Sequence, residues 1–148
     1  MTQKEKTYNN EPMLESHSSA KKKLLQLLAR RDYSEKELIE KLSQQFSHLE
    51  IQQTLVWAQK KNWLKSPEEL AAKIAEKLNQ KLKSIEWINQ ILQSKGLPLV
   101  ASDSERELEK ARQLIDKKRE TSPEKMMRFL FRQGFAPETV GKVIYEKR

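Results

Sequence analysis

Three serines, Ser34, Ser84 and Ser122, head the same pattern, and that recurrence restricts the fold more than any other feature of the chain. Laid over one another, they align Leu38, Ile88 and Met126 four residues on, and Leu42, Leu92 and Leu130 eight residues on. Three residues before each serine stands a base: Arg31, Lys81 and Arg119. A serine caps the free amides at a helix start, and apolar residues one and two turns later line the face such a helix buries. One unit used three times predicts tandem helical modules that each bury too little alone and stack on their neighbours.

From Ser18 onward the apolar spacing is helical, with no sustained period-two alternation, and only 3 glycines and 4 prolines interrupt it. The predicted helices cover 19–31, 35–46, 50–61, 67–81, 85–95, 104–119, 123–133 and 137–146. Ser34 with Glu37 has the spacing of a capping box, and Tyr33 with Leu38 that of a hydrophobic staple. Ser66-Pro67-Glu68-Glu69 repeats the box with proline at the first helical position, and Ser122-Pro123-Glu124 offers the same start. Asn62, Gly96 and Gly134 mark stops, each able to take the left-handed conformation that ends a helix. Leu70, Ile74, Leu78, Leu82, Ile85, Ile88 and Leu92 would allow one continuous helix; the repeat breaks it at Ser84.

The expected organisation is a polar, flexible tail over 1–17, a first helical repeat over 18–65, a second over 66–101 and a third over 102–148. The fold class is all-α: tandem three-helix, helix-turn-helix-like repeats in an elongated, curved array. Only 36% of the 148 residues are apolar and 34% are charged, a balance suited to a thin assembly that keeps many residues wet.

The same composition narrows function. Lys and Arg total 29 against 21 Asp and Glu, a net charge of +8 that favours anionic partners, whether nucleic acid or an acidic protein surface. Cysteine is absent, so thiol chemistry and disulfides are excluded. No apolar run approaches the roughly 20 residues of a membrane helix, and the start lacks a secretory signal's hydrophobic core. A cytoplasmic protein with no membrane association is the expectation. His17 and His48 stand far apart with no ligand-like spacing, so no metal site is expected. There is no nucleophile elbow and no phosphate-cradling glycine loop, and the acidic residues mostly alternate with Lys and Arg as on solvated helix faces. Neither a catalytic residue nor a cofactor is expected.

Basic clusters carry the functional signal. Lys21, Lys22 and Lys23, then Arg30 and Arg31, then Lys117, Lys118 and Arg119 are dense runs, and Arg128 and Arg132 share a helix face. Lys81 joins them through the repeat. Of the three tryptophans, Trp57 fits a buried face, Trp63 folds back on a helix end, and Trp87 is expected at the surface as a contact residue.

Leu27-Leu28-Ala29-Arg30-Arg31-Asp32-Tyr33-Ser34-Glu35-Lys36-Glu37-Leu38, followed by Lys41-Leu42, resembles the opening signature of the RecX family. Similarity continues through Asn62-Trp63-Leu64, Lys95-Gly96-Leu97, Ala111-Arg112 to Lys117-Lys118, and Arg128 to Phe135, and so covers the chain from about Ser18 on. The chain departs from the family where a Lys-Gly-x-Gly-Pro-x-Arg-Ile segment becomes Lys81-Leu82-Lys83-Ser84-Ile85-Glu86-Trp87-Ile88. It also lacks about half a dozen residues between Gly96 and Ala111, which trims the third helix of the middle repeat. The resemblance implies a curved array of three three-helix repeats that lies in the groove of a RecA–DNA filament. It further implies inhibition of the RecA ATPase, strand exchange and filament growth, modulating DNA repair, recombination and the SOS response. Lys21 to Lys23, Arg30, Arg31, Lys81, Trp87, Lys117, Lys118, Arg119, Arg128 and Arg132 are the expected contacts of a monomer. Single- or double-stranded DNA is a further expected partner, and a direct DNA-binding helix-turn-helix protein is the alternative.

Overall fold

The computed structural model describes residues 18–147; the tail expected over 1–17 lies outside them. The described residues form eight α-helices and no strand: α1 Ser18–Arg30, α2 Glu35–Leu42, α3 His48–Lys60, α4 Pro67–Gln80, α5 Ile85–Ser94, α6 Ser104–Lys118, α7 Pro123–Arg132 and α8 Pro137–Lys147. The chain divides after Lys65 into two compact units.

The repeated serines do what their spacing demands. Ser34, Ser84 and Ser122 are the N-caps of α2, α5 and α7, their hydroxyls accepting from the amides of Glu37, Trp87 and Lys125. Ser34 forms the complete capping box, since Glu37 Oε1 accepts from the Ser34 amide at 2.9 Å. The aligned Leu38, Ile88, Met126, Leu42, Leu92 and Leu130 are all buried. A second capping box, Ser47 with Glu50, starts α3 earlier than its apolar pattern indicates; α2 correspondingly ends at Leu42, four residues short of expectation.

The first unit holds α1–α3 around Leu24, Leu27, Leu38, Leu42, Ile51, Leu55 and Ala58. The second holds two cores, one between α4 and α5 and one among α6, α7 and α8. No helix follows α5 before Ser104. There Leu97 and Val100 complete the core, and the Asn89 amide both donates to and accepts from the Val100 backbone at 3.1 and 2.9 Å.

Four helices end in one way. Asn62, Leu82, Gly96 and Gly134 have φ of +59°, +64°, +71° and +92°. The amides that follow, of Trp63, Lys83, Leu97 and Phe135, bond back to Ala58, Leu78, Leu92 and Leu130. This is the Schellman arrangement, which satisfies carbonyls that a helix end leaves free. Leu82 takes it without being glycine, so the turn survives where the RecX pattern has Gly. The left-handed conformation costs a non-glycine residue about 1–2 kcal/mol. Burial of the leucine side chain returns a comparable amount, roughly 1.5–3 kcal/mol.

That turn is also held from outside. Glu107 and Lys110, one turn apart on α6, are buried and ion-paired with each other. The Lys110 ammonium donates to the Lys83 carbonyl at 2.7 Å and to Asn79 Oδ1 at 2.6 Å, and Glu107 accepts from the Ile85 amide at 3.0 Å. The cation thus sits past the carbonyl end of α4 and the carboxylate at the amide end of α5, both favourable to the helix dipoles. Gly134 presses on the same turn: a Cβ there would stand 2.8 Å from Ser84 Oγ.

On the surface α6 is stapled both ways. Arg106 grips Glu76 of α4 bidentately at 2.8 and 2.9 Å, and Arg112 grips Glu146 of α8 with two 2.8 Å bonds. Those guanidinium hydrogen bonds hold the Glu76 and Glu146 carboxyls below their ordinary range against a partial desolvation that opposes the shift.

Two outcomes are expected. Lys110→Met strands a buried carboxylate and should lower the unfolding free energy by about 3–5 kcal/mol in urea titration. Lys110→Met/Glu107→Gln should lose less, since Gln still accepts from Ile85; equal losses would contradict the cause given. For Glu76 and Glu146 the folded pKa lies below the unfolded one of about 4.3, so their contribution is full above about pH 5 and is lost as pH falls through the folded values. Thermal melts from pH 6 to 3 should therefore decline less steeply for Glu76→Gln/Glu146→Gln than for the unsubstituted chain.

Candidate partner-binding surface

The expected contact residues separate by what their charged or aromatic groups already touch. In the first unit Lys21 is buried, with its ammonium 4.4 Å from the ring centre of Trp57, so it packs α1 against α3. Trp57 in turn meets Trp63 edge to face at 5.0 Å, and both rings are partly buried. Arg31 lies over Tyr33 at 3.7 Å and bonds to the Asp32 carbonyl and to Glu37, the residue that completes the capping box. Its side chain braces the start of α2. Lys22 and Arg30 are exposed and Lys23 is half-buried, and none of the three has a charged partner among the described residues.

In the second unit Trp87 is 38% exposed on the first turn of α5, as expected, but Lys83 Nζ stands 4.0 Å from its ring. A cation over an indole face is a favourable contact in itself, so one face of the ring is occupied. Lys118 lies 4.7 Å from the ring centre of Phe129. Lys81, Lys117 and Arg119 are exposed without a charged partner among the described residues. Arg128 and Arg132, four residues apart on the outer side of α7, are likewise exposed and unpaired there.

The recurrence of a base before each serine has a local cause. Arg31, Lys81 and Arg119 are each the first residue beyond a helix, after α1, α4 and α6. A positive side chain at a carbonyl-rich helix end is favourable by about 0.3–1 kcal/mol, so the repeat selects bases there whatever they bind. Their surroundings then diverge. Arg31 is engaged, Lys81 has no charged partner among the described residues, and Arg119 takes the left-handed conformation at φ +57°.

A cavity of about 430 Å³ opens beside Arg119, lined also by Ile115, Asp116, Glu120, Thr121, Met126 and Lys147. Its polar groups largely satisfy one another. Lys147 bonds to Asp116 at 2.6 Å, and Glu120 accepts from the amides of Thr121 and Ser122. These amide bonds, that of Ser122 foremost, hold the Glu120 carboxyl below its ordinary range.

What the sequence left unmarked is the apolar company of the α7 arginines. Phe131 is 46% exposed and Met127 39%, in a unit whose other large apolar helix residues mostly face a core. The clue was available: Met126 and Leu130 suffice for the buried stripe of so short a helix, which leaves Met127 and Phe131 on the other side. No helix among the described residues is long and apolar enough to cross a membrane.

Comparison with known proteins agrees with this architecture. Residues 20–56, spanning α1, α2 and most of α3, match the family model for the first three-helix domain of RecX. Among solved structures, RecX from Lactobacillus salivarius is similar with a TM-score of 0.77 at 17% identity, over 90% of this chain and 97% of that one. A structure of regulatory protein RecX is similar with a TM-score of 0.70 at 20% identity, over 86% of this chain and 72% of that one. No curated protein matches the chain in sequence. Residues 20–56 thus match the first three-helix domain of RecX, and the chain carries the fold of the RecX structures over most of its length.

Proposed function

We propose that this protein regulates RecA: it binds the RecA–DNA filament and inhibits its ATPase, strand exchange and filament growth, and so modulates DNA repair and recombination. It does so as a binding protein with no chemistry of its own. The observation that carries this reading is the RecX domain at residues 20–56 within a RecX fold covering 90% of the chain. The surface is compatible with it. Lys22, Lys23, Arg30, Lys81, Lys117, Arg119, Arg128 and Arg132 have no charged partner among the described residues, and they lie in both units. A polymer of repeated protomers offers repeated anionic groups, and several weak contacts made at once add up to useful avidity. Positive charge speeds docking more than it fixes final affinity.

The test is the ATPase of RecA on single-stranded DNA, using RecA from the same source, with this protein titrated in. Inhibition near stoichiometric amounts is expected. Arg30→Glu should shift the titration several-fold to higher protein concentration, because Arg30 is exposed and, unlike Arg31, holds no part of the fold. Absence of inhibition, together with tight binding to naked duplex, would transfer the function to direct DNA recognition.

A further inference from the structure

The outer face of α7 is built unlike the solvated faces around it. Met127 and Phe131 are four residues apart, as are Arg128 and Arg132, so the helix presents an apolar row alongside a guanidinium row. The opposite side is fixed in the core through Met126 and Leu130. By contrast, the exposed positions of α6 carry Glu105, Glu109, Gln113, Asp116 and Lys117, an ordinary wet surface. The arginines of α6 are also paired: Arg106 with Glu76 and Arg112 with Glu146. On α7 the same planar forks meet no carboxylate among the described residues. Glu124, one turn before Arg128, makes no ion pair with it.

Exposed Phe and Met beside unpaired Arg is the composition enriched at the centres of protein interfaces, where Lys and Glu are depleted. A single-stranded nucleic acid site would want successive aromatic rings on which successive bases stack. Here one exposed ring stands beside a thioether, which provides no run of stacking platforms, while the guanidinium forks suit carboxylate and phosphate alike. The face is also held still. Gly134, immediately past the end of α7, has φ +92° and approaches Ser84 so closely that a Cβ would lie 2.8 Å from its hydroxyl. A surface fixed before contact loses less freedom on binding.

We propose that the outer face of α7 docks on protein within the filament: a patch of a RecA protomer where carboxylates flank apolar side chains, with Arg128 and Arg132 on the carboxylates and Phe131 and Met127 on the apolar groups. This rests on the function proposed above and deepens it, assigning the α7 arginines to protein and not to DNA.

The test uses the full chain and RecA filaments assembled on oligothymidine with a non-hydrolysable ATP analogue, and measures binding by co-sedimentation. Affinity for the same oligothymidine without RecA is measured in parallel. Phe131→Ala should weaken filament binding about threefold or more, and Arg128→Glu/Arg132→Glu about tenfold or more, consistent with central interface positions. Arg128→Lys/Arg132→Lys keeps the charge but loses the fork, and should also weaken filament binding while leaving free oligothymidine unaffected. Unchanged melting curves establish that each variant folds. If all variants bind filaments as the unsubstituted chain does, the α7 assignment falls while the RecA reading stands. If Phe131→Ala and the lysine pair lose affinity for filament and free oligothymidine in equal proportion, the face reads nucleic acid and the proposal is overturned. If the unsubstituted chain does not bind filaments, the RecA reading fails and the α7 assignment fails with it.

Discussion

The second unit depends on how two helix ends that meet head to tail are neutralised. Between α4 and α5 the chain turns within four residues, leaving the Lys83 carbonyl and the Ile85 amide next to a packed core. Lys110 and Glu107 reach them from α6 as a buried, mutually paired ion pair. A buried pair is an expensive way to gain stability compared with apolar packing. Here it is offset because the polar backbone it satisfies would otherwise have no partner, which costs about 1–3 kcal/mol for each group. The departure from the RecX pattern at this turn gains a physical sense. A proline in place of Ile85 has no amide to donate; with isoleucine there the N–H exists, and Glu107 takes it.

The same arrangement joins the α4–α5 pair to the three helices that follow. Arg106 with Glu76 adds an exposed staple along the same line, worth little alone because solvent screens it. The cations of this strongly basic chain thus fall into two groups. Lys21, Arg31, Arg106, Lys110, Arg112 and Lys147 are engaged by aromatic rings or carboxylates and organise the fold. Arg30, Arg119, Arg128 and Arg132 are not so engaged among the described residues, and their planar forks remain available to a partner.

Much of the fold was legible in the sequence because capping is a local event. Ser34 and Ser122 needed only the next three residues to reveal α2 and α7, whereas the break at Ser84 followed from repetition where periodicity alone was ambiguous. Gly96, Gly134 and Asn62 were legible as stops for the same reason. Leu82 and Arg119 were not, since leucine and arginine seldom adopt positive φ and the surrounding packing imposes it. Glu107 and Lys110 were hidden more deeply. Within Glu105-Arg106-Glu107-Leu108-Glu109-Lys110 the charges alternate as on a wet helix face, and nothing local distinguishes the two that a neighbouring turn will bury. Among the candidate contacts, sequence found the basic residues and could not separate those that brace a cap or an aromatic ring from those left open. That distinction depends on residues distant in the chain, such as Trp57 for Lys21.

If the proposed docking is right, the unpaired guanidiniums meet the filament while the paired ones hold the fold. Its most direct test is arginine-selective modification of the chain with phenylglyoxal, read residue by residue by mass spectrometry, with and without RecA filaments on single-stranded DNA. Arg30, Arg119, Arg128 and Arg132 should react readily alone and be shielded by the filament. Arg106 and Arg112 should react slowly in both conditions. Equal labelling of the four with and without filament, while the protein co-sediments with it, would show that these arginines do not face the filament.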